Sequence, residues 1–486
     1  MTPNLLLIVS DQHHPRCAGF AGHPVVHTPN LDALAASGTT FRSAYCASPI
    51  CVPARASIAT GRYVFQHRCW DNAAPYAGDP PSWGHRLIGA GYDVSTVGKL
   101  HYRDADCDTG TGPQILPMHV HGRGDLRGLV HRATGTPVPS GTGSARIAKA
   151  GVGETEYTRY DRAVADAAVR QIHRADPARP FAITASFVSP HFPWLAPQDY
   201  ADRYADAEIA VPAGLDAAWR HPAVDEFRSA FGLDDLPPAV SRTALRAYFG
   251  LCSFLDTQVG RVLDALAASG RAEDTLVIYT SDHGESAGAH GLWFKHLMNE
   301  ESAGVPLVLR GPGVPAGAVV HTPVSHVDLY PTILHAAGIP LPEADLPGVS
   351  LLDVARGDRP DRVVLSEYHA NGSLGASFLV RSRRYKYIEY ARHRPQLFDL
   401  MDDPGETVDL ADDPAHADTL RRLAQQLRGM CSPEAVDEQA RADQRERIER
   451  AGGVRAALSH TVEYTPAPSL DDPDRNETAR LSKDAP

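Results

Sequence analysis

The chain has 486 residues, 43% of them apolar and 22% charged, enough to bury a large core and to divide into two units. A formal charge of −12 turns it away from nucleic acid and anionic membranes as partners. Seven irregularly spaced cysteines exclude a disulfide framework, and no apolar run reaches the length of a membrane span.

Met1-Thr-Pro-Asn runs straight into Leu5-Leu-Leu-Ile-Val9, a buried-strand pattern ending at Ser10-Asp11-Gln12. So short an apolar run without a basic start is no secretory leader, and the sequence reads as cytoplasmic. Thr28 to Gly38 reads as a short helix begun by Asn30 and stopped by Gly38. Ser48-Pro-Ile-Cys51-Val-Pro53-Ala-Arg55-Ala-Ser57-Ile-Ala-Thr-Gly61 predicts a loop entering a helix, with Pro53 at the first helical position and Gly61 as the stop. Cys51 then stands just before a helix N-terminus, where orphan amides and the dipole favour an anion, and Arg55 lies one turn along.

Trp83 to Ala90 predicts a helix and Tyr92 to Val97 a strand leading into Gly98-Lys99-Leu-His101. Residues 104–156 read as a long loop without Phe, Tyr or Trp, carrying His119, His121, His131, Arg123, Arg127, Arg132 and Arg146. Tyr157 to Asp176 is helical in pattern, and Phe181 to Val188 is a strand ending at Ser189-Pro-His191. Residues 196–240 read as irregular. Arg246 to Ala268 is a helix with one apolar face. Thr275 to Tyr279 is a strand ending at Ser281-Asp282-His283, Val305 to Leu309 is another, and Asp328 to Ala337 is helical.

Strands alternating with helices predict an α/β fold with a mostly parallel central sheet flanked by helices. Past about residue 365 the texture changes to short antiparallel strands (Phe378 to Tyr390, Leu397 to Leu400) and two charged helices near 415–430 and 433–452. This gives a catalytic unit of residues 1–365 and a small α+β subdomain of residues 366–486, whose end from Asp471 reads as disordered. Four strands end in Asp11 and Gln12, Lys99 and His101, His191, and Asp282 and His283. Ligands bind outside the carboxyl ends of parallel strands, so these endings are expected to meet. Asp11, Gln12 and Asp282 offer hard oxygens suited to calcium, magnesium or manganese.

Cys51-x-Pro53-x-Arg55 followed by Ala-Ser-x-x-Thr-Gly resembles the signature of formylglycine-dependent sulfatases, in the alkaline phosphatase superfamily. Gly98-Lys99-x-His101, Pro190-His191-x-Pro193 and Gly291-Leu-Trp-Phe-Lys295 match further motifs of that family. The Asp11-Gln12 pair is closest to the form in choline sulfatases and phosphonate monoester hydrolases. Asn72, in Asp71-Asn72-Ala, and Glu367 fall where choline sulfatases carry substrate-side residues.

The resemblance implies hydrolysis of a small-molecule sulfate monoester by a formylglycine that a maturation enzyme makes from Cys51. It implies one divalent cation, foremost Ca²⁺ with Mn²⁺ or Mg²⁺ as alternatives, held by Asp11, Gln12, Asp282, His283 and an oxygen of modified Cys51. Arg55 would hold the hydrated aldehyde, Lys99 would neutralise the ester, Lys295 or His191 would protonate the leaving alcohol, and His101 would accept a proton. A phosphonate monoester or phosphodiester hydrolase is the alternative, and a homo-oligomer (dimer or tetramer) is expected. Quaternary ammonium recognition wants aromatic faces. The aromatic-free basic loop therefore points to an anionic or polyhydroxy leaving group and makes choline sulfate a poor substrate.

Overall fold

A strand apolar at every position has to be covered on both faces, and Leu5 to Val9 is such a strand. In the computed structural model, which describes residues 2–135, 142–212, 214–342, 345–357, 362–460, 465–470 and 477–478, it becomes β1 (Asn4–Asp11), buried throughout. Leu6 and Ile8 point to one face. There they pack with Val164 and Ile172 of helix Glu156–Arg174 and with Val259 and Val262 of helix Pro238–Ala268. Leu5, Leu7 and Val9 point to the other, against Trp83, Leu87 and Ile333.

The central sheet contains β2 (Thr39–Phe41), β3 (Asp93–Lys99), β4 (Gln114–Met118), β5 (Phe181–Pro190), β6 (Thr275–Ser281), β7 (Leu307–Arg310) and β8 (Ala318–Val320). A second, antiparallel sheet is the meander β9 (Val364–Tyr368), β10 (Ser377–Arg381), β11 (Tyr385–Tyr390) and β12 (His393–Asp399). With β13 (Glu477–Thr478) the central order is β8-β2-β7-β6-β1-β5-β3-β4-β13. Strands β6, β1, β5, β3 and β4 are parallel, whereas β7 runs against both neighbours. The antiparallel sheet is tied to the loop before Cys51 by the Glu367 amide, which donates to the Ala47 carbonyl at 2.9 Å.

Several local readings are corrected. The cysteine helix, α1 (Cys51–Thr60), begins at Cys51 rather than Pro53, with Ile50 as its cap and Gly61 (φ 67°) as its stop. Residues 104–156 are not one loop. Gln114–Met118 enters the central sheet, and Leu126–Thr134 is a helix that buries Leu126, Leu129 and Val130 against Ile448 and Ala457. Its partner comes from the far end of the chain, so composition alone hid it. The irregular region 196–240 contains the helix Pro222–Phe231, which buries Val224 and Phe227. The long apolar helix starts at Pro238, a residue fit for a first turn. Of the tail from Asp471, Glu477–Thr478 pairs with β4, and the rest lies outside the described residues. Two C-terminal helices follow the meander, Ala417–Met430 and α2 (Pro433–Arg450). Among the described residues no helix is long and apolar enough to cross a membrane.

Candidate active site

Parallel strands that are neighbours in a sheet deliver their ends side by side. Asp11 closes β1, Asp282 follows β6, Lys99 closes β3 and His191 follows β5, and these four strands are consecutive in the order β6-β1-β5-β3. The pairing register shifts between Val9 and Asp11 and between Val97 and Lys99, so both strands are re-aimed just where the polar residues begin. Gly98 (φ 97°) fits the second irregularity, because a Cβ there would run into the Ser186 carbonyl. The N-terminus of α1 meets this edge with Cys51.

Asp11, Cys51, Asp282 and His283 are all buried, and each offers one ligand atom within 4.8 Å of the others. Cys51 Sγ lies 3.2 Å from His283 Nε2 and 3.9 Å from Asp11 Oδ1. His283 Nε2 is 3.6 Å from Oδ1 of each aspartate. The outer carboxylate oxygens are otherwise engaged. Arg55 Nε donates to Asp282 Oδ2 at 2.7 Å, its Nη2 reaches Asp11 Oδ2 at 3.4 Å, and Lys99 Nζ holds the same Asp11 oxygen at 2.5 Å. Arg55 Nη1 is fixed by the Lys99 carbonyl (2.6 Å) and Ser186 Oγ (2.9 Å). Two carboxylates thus face two cations outward and present Oδ1 inward.

Burial pushes the Asp11 carboxyl up, but Lys99, followed by His191, His283 and Arg55, outweighs it and holds the group well below the usual carboxylate range. Burial, with Asp11 adding to it, pushes the Cys51 thiol up to about 12. Burial also lowers His283, leaving a neutral imidazole fit to ligate. His101 is buried with neither ring nitrogen hydrogen-bonded, and burial, then Lys99, keep its pKa well below the ordinary value. Gln12 (φ 65°), His101 (φ 55°), Phe294 (φ 69°) and His296 (φ 93°) are all left-handed, so backbone strain collects at this cluster.

Lys295 Nζ reaches Gln12 Oε1 at 2.5 Å and lies 5.2 Å from the centre of the Phe192 ring. Gln12 therefore points at Lys295, and its Nε2 donates to Glu285. Glu285 escaped the sequence reading. It is buried and accepts the Ala287 and Phe294 amides at 2.9 and 2.7 Å, so it sets the loop that carries Lys295. Its closeness to Asp282 was the only available signal. His191 Nδ1 donates to the Phe192 carbonyl at 2.6 Å, and its ring stacks on Phe192 at 4.2 Å.

Asn72 reaches the cluster indirectly: its Oδ1 accepts the Val52 amide at 3.1 Å, beside Cys51. Glu367 is placed elsewhere. It is fully buried in β9, accepts the Phe65 amide at 3.0 Å and pairs with His369 Nε2 at 2.7 Å. Burial raises its carboxyl from 4.5 to about 8. A folded-state pKa above the unfolded one gives stability that is fully present below 4.5 and lost as the pH climbs through about 8. Glu367→Gln keeps both hydrogen bonds and cannot ionise. It is expected to melt like the parent at pH 5 and several degrees higher at pH 8, with KM changed less than about twofold. A raised KM without the thermal difference would put Glu367 back on the substrate side.

The basic residues of region 104–156 divide. Arg132 is fully buried on Asp437 and Gln444. Arg146 is exposed, with Cζ 5.7 Å from the centre of the Phe192 ring, and its charge also acts on the Asp125 carboxyl.

The model of the family described as Sulfatase matches residues 3–339, and that described as N-sulphoglucosamine sulphohydrolase, C-terminal, matches residues 288–432. The chain is 34% identical over 429 residues to a choline-sulfatase of Rhizobium meliloti (strain 1021), covering 85% of this chain and 83% of that one. It is 30% identical over 438 residues to arylsulfatase K of Homo sapiens, covering 84% and 79%. Among solved structures, a phosphonate monoester hydrolase from Silicibacter pomeroyi matches with a TM-score of 0.70 at 27% identity, covering 87% of this chain and 94% of that one.

Proposed function

The chain belongs to the sulfatase family and hydrolyses sulfate esters, and we propose that it does so with Cys51 oxidised to formylglycine beside a divalent ion held by Asp11, Asp282 and His283. The donor set fits such an ion: two carboxylate oxygens and a neutral imidazole face one another, while Arg55 and Lys99 occupy the outer oxygens. The oxygen-rich set favours calcium, with manganese and magnesium as alternatives. When present, the hydrated aldehyde supplies an oxygen nucleophile and the ion supplies positive charge for the ester's non-bridging oxygens.

The chain's own residues do the rest. Arg55 and Lys99 cancel the two aspartates, so any added positive charge is left for an anionic substrate. Asn72 holds the first turn of α1 in place through the Val52 amide. His101, without a hydrogen bond at either nitrogen, has a free lone pair to accept a proton, and burial and Lys99 make it a weak base that would hold that proton only briefly. Lys295 carries the proton for the leaving alcohol. His191, kept neutral by burial and pinned through its Nδ1–H, presents Nε2 as an acceptor rather than a proton donor, which leaves Lys295 as the acid. The inward-facing aspartate oxygens beside Cys51 are the observation that carries this reading.

Phe192 bears on the leaving group. Lys295 and Arg146 already lie within 5.2 and 5.7 Å of its ring centre, so a quaternary ammonium would meet two cations there. We therefore assign an anionic or polyhydroxy leaving group. Sulfate release from 4-nitrophenyl sulfate, a sulfated sugar and choline sulfate tests this. Choline sulfate is expected to trail in kcat/KM by about tenfold or more, roughly 1.4 kcal/mol in the barrier. Equal constants would remove the assignment. The Asp11-Gln12 pair favours phosphonate monoester hydrolysis as a secondary activity, and 4-nitrophenyl phenylphosphonate turned over faster than any sulfate would make it the primary one.

Seven free cysteines suit a reducing compartment and support a cytoplasmic placement. A maturation enzyme and a homo-oligomeric assembly belong to the same reading.

A further inference from the structure

Four arginines from three separate segments surround one cavity of about 350 Å³: Arg103, two residues past His101; Arg123; and Arg447 and Arg450 on α2. Ala73, Pro75, Val120, Gly122, Leu126 and Ala451 complete its wall, and Ala73 is the neighbour of Asn72. The charges around it do not balance. Arg447 lies 3.4 Å from Asp71 and Arg450 bonds Glu446 one turn back at 2.5 Å. Arg123 donates only to the Ala451 carbonyl, at 2.8 Å, and among the described residues no carboxylate pairs with Arg103 or Arg123. Two guanidinium charges are left over, in a chain whose formal charge is −12. Guanidinium forks match sulfate, phosphate and carboxylate oxygens, and like charges gathered around one hollow are relieved by an anion placed inside it.

We propose that this pocket binds a second anionic group, sulfate or carboxylate, of a multiply charged sugar-sulfate substrate whose scissile ester lies at Cys51. The assignment rests on the sulfatase reading of the Cys51 site and narrows its substrate class. The pocket is flanked in sequence by Asn72 and His101, both of which belong to that site. Its volume admits a sugar-sized group, and the four guanidiniums are the charged groups among its lining residues, the rest being apolar. The second anion would fix the orientation of the sugar without taking part in bond cleavage, so it acts on KM and on selectivity.

Binding can be measured without turnover, by titrating a heparin-derived tetrasaccharide into the full chain in a calorimeter. Arg123→Glu/Arg450→Glu is expected to weaken binding at least tenfold. Arg242→Glu/Arg422→Glu, the same charge change at exposed sites elsewhere, is expected to leave it intact. Equal affinity in the parent and the pocket variant would overturn the proposal, as would equal losses in both variants, which would mean general attraction only. Inorganic phosphate separates the two sources of anion. If it binds the parent as tightly as the tetrasaccharide and is lost in the pocket variant, the pocket holds a free ion and the substrate assignment fails. Failure of these titrations leaves the sulfatase reading standing. Absence of sulfate release with binding intact would sink that reading instead.

Discussion

Cys51→Ala is expected to reduce sulfate release by about 10³-fold or more while leaving the melting temperature within a few degrees of the parent. The side chain is small, and its Sγ is the atom that faces His283 Nε2 and Asp11 Oδ1. The unmodified thiol is a poor candidate for the attacking group. Burial first, and Asp11 next, push it up to about 12, so near pH 7 it stays protonated, and the thiolate is the reactive form. The environment that silences a thiol suits an oxygen nucleophile made from it. Cys51→Ser tests the second half of the idea. A serine has one oxygen on Cβ and no second hydroxyl there to expel the product, so at most one turnover is expected. Mass analysis of the Cys51 peptide alongside kcat decides the matter: activity should scale with the oxidised fraction. Full activity in protein that carries only the free thiol would refute the requirement.

The parts of this site legible in the sequence share a physical property. Asp11, Lys99, His191 and Asp282 each terminate an apolar run, and a parallel sheet turns that local fact into convergence in space. The cysteine helix is legible from Pro53 and Gly61, although its first turn starts at Cys51 because Ile50, extended at φ −160°, serves as the cap. What stayed hidden depends on partners far along the chain. The Leu126–Thr134 helix looks like a Gly- and Thr-rich loop until Ile448 and Ala457 cover it. Glu367 reads as a substrate residue by position, yet its carboxyl group is spent on the Phe65 amide and His369. Glu285 carries no motif of its own, and only the bonds to Gln12 and the Phe294 amide reveal it. Gln12 read as a metal ligand by its place after Asp11, and in the structure its carbonyl meets Lys295. Chain order predicts where a side chain is delivered, but not which neighbour claims it.

Arg55→Ala is expected to cost both stability and activity, and the two losses should respond differently to a divalent ion. Arg55 is 4% exposed and makes four contacts: Asp282 Oδ2, Asp11 Oδ2, the Lys99 carbonyl and Ser186 Oγ. Removing it leaves two fully buried aspartates facing Lys99 alone. Breaking a buried pair in this way costs about 3–5 kcal/mol. Arg55→Lys should fall between the variant and the parent, because a single ammonium cannot span both carboxylates and the Lys99 carbonyl together. Calcium is expected to raise the melting temperature of Arg55→Ala by more than it raises that of the parent, since the deprived carboxylates gain most from a cation. The rate should not recover, staying about 10²- to 10³-fold down in kcat/KM, because charge is restored while the outward anchoring that turns both Oδ1 atoms inward is not. Melting curves with and without chelator, run beside turnover, separate the two effects. A calcium response smaller in the variant than in the parent would mean that the ion does not sit between these aspartates.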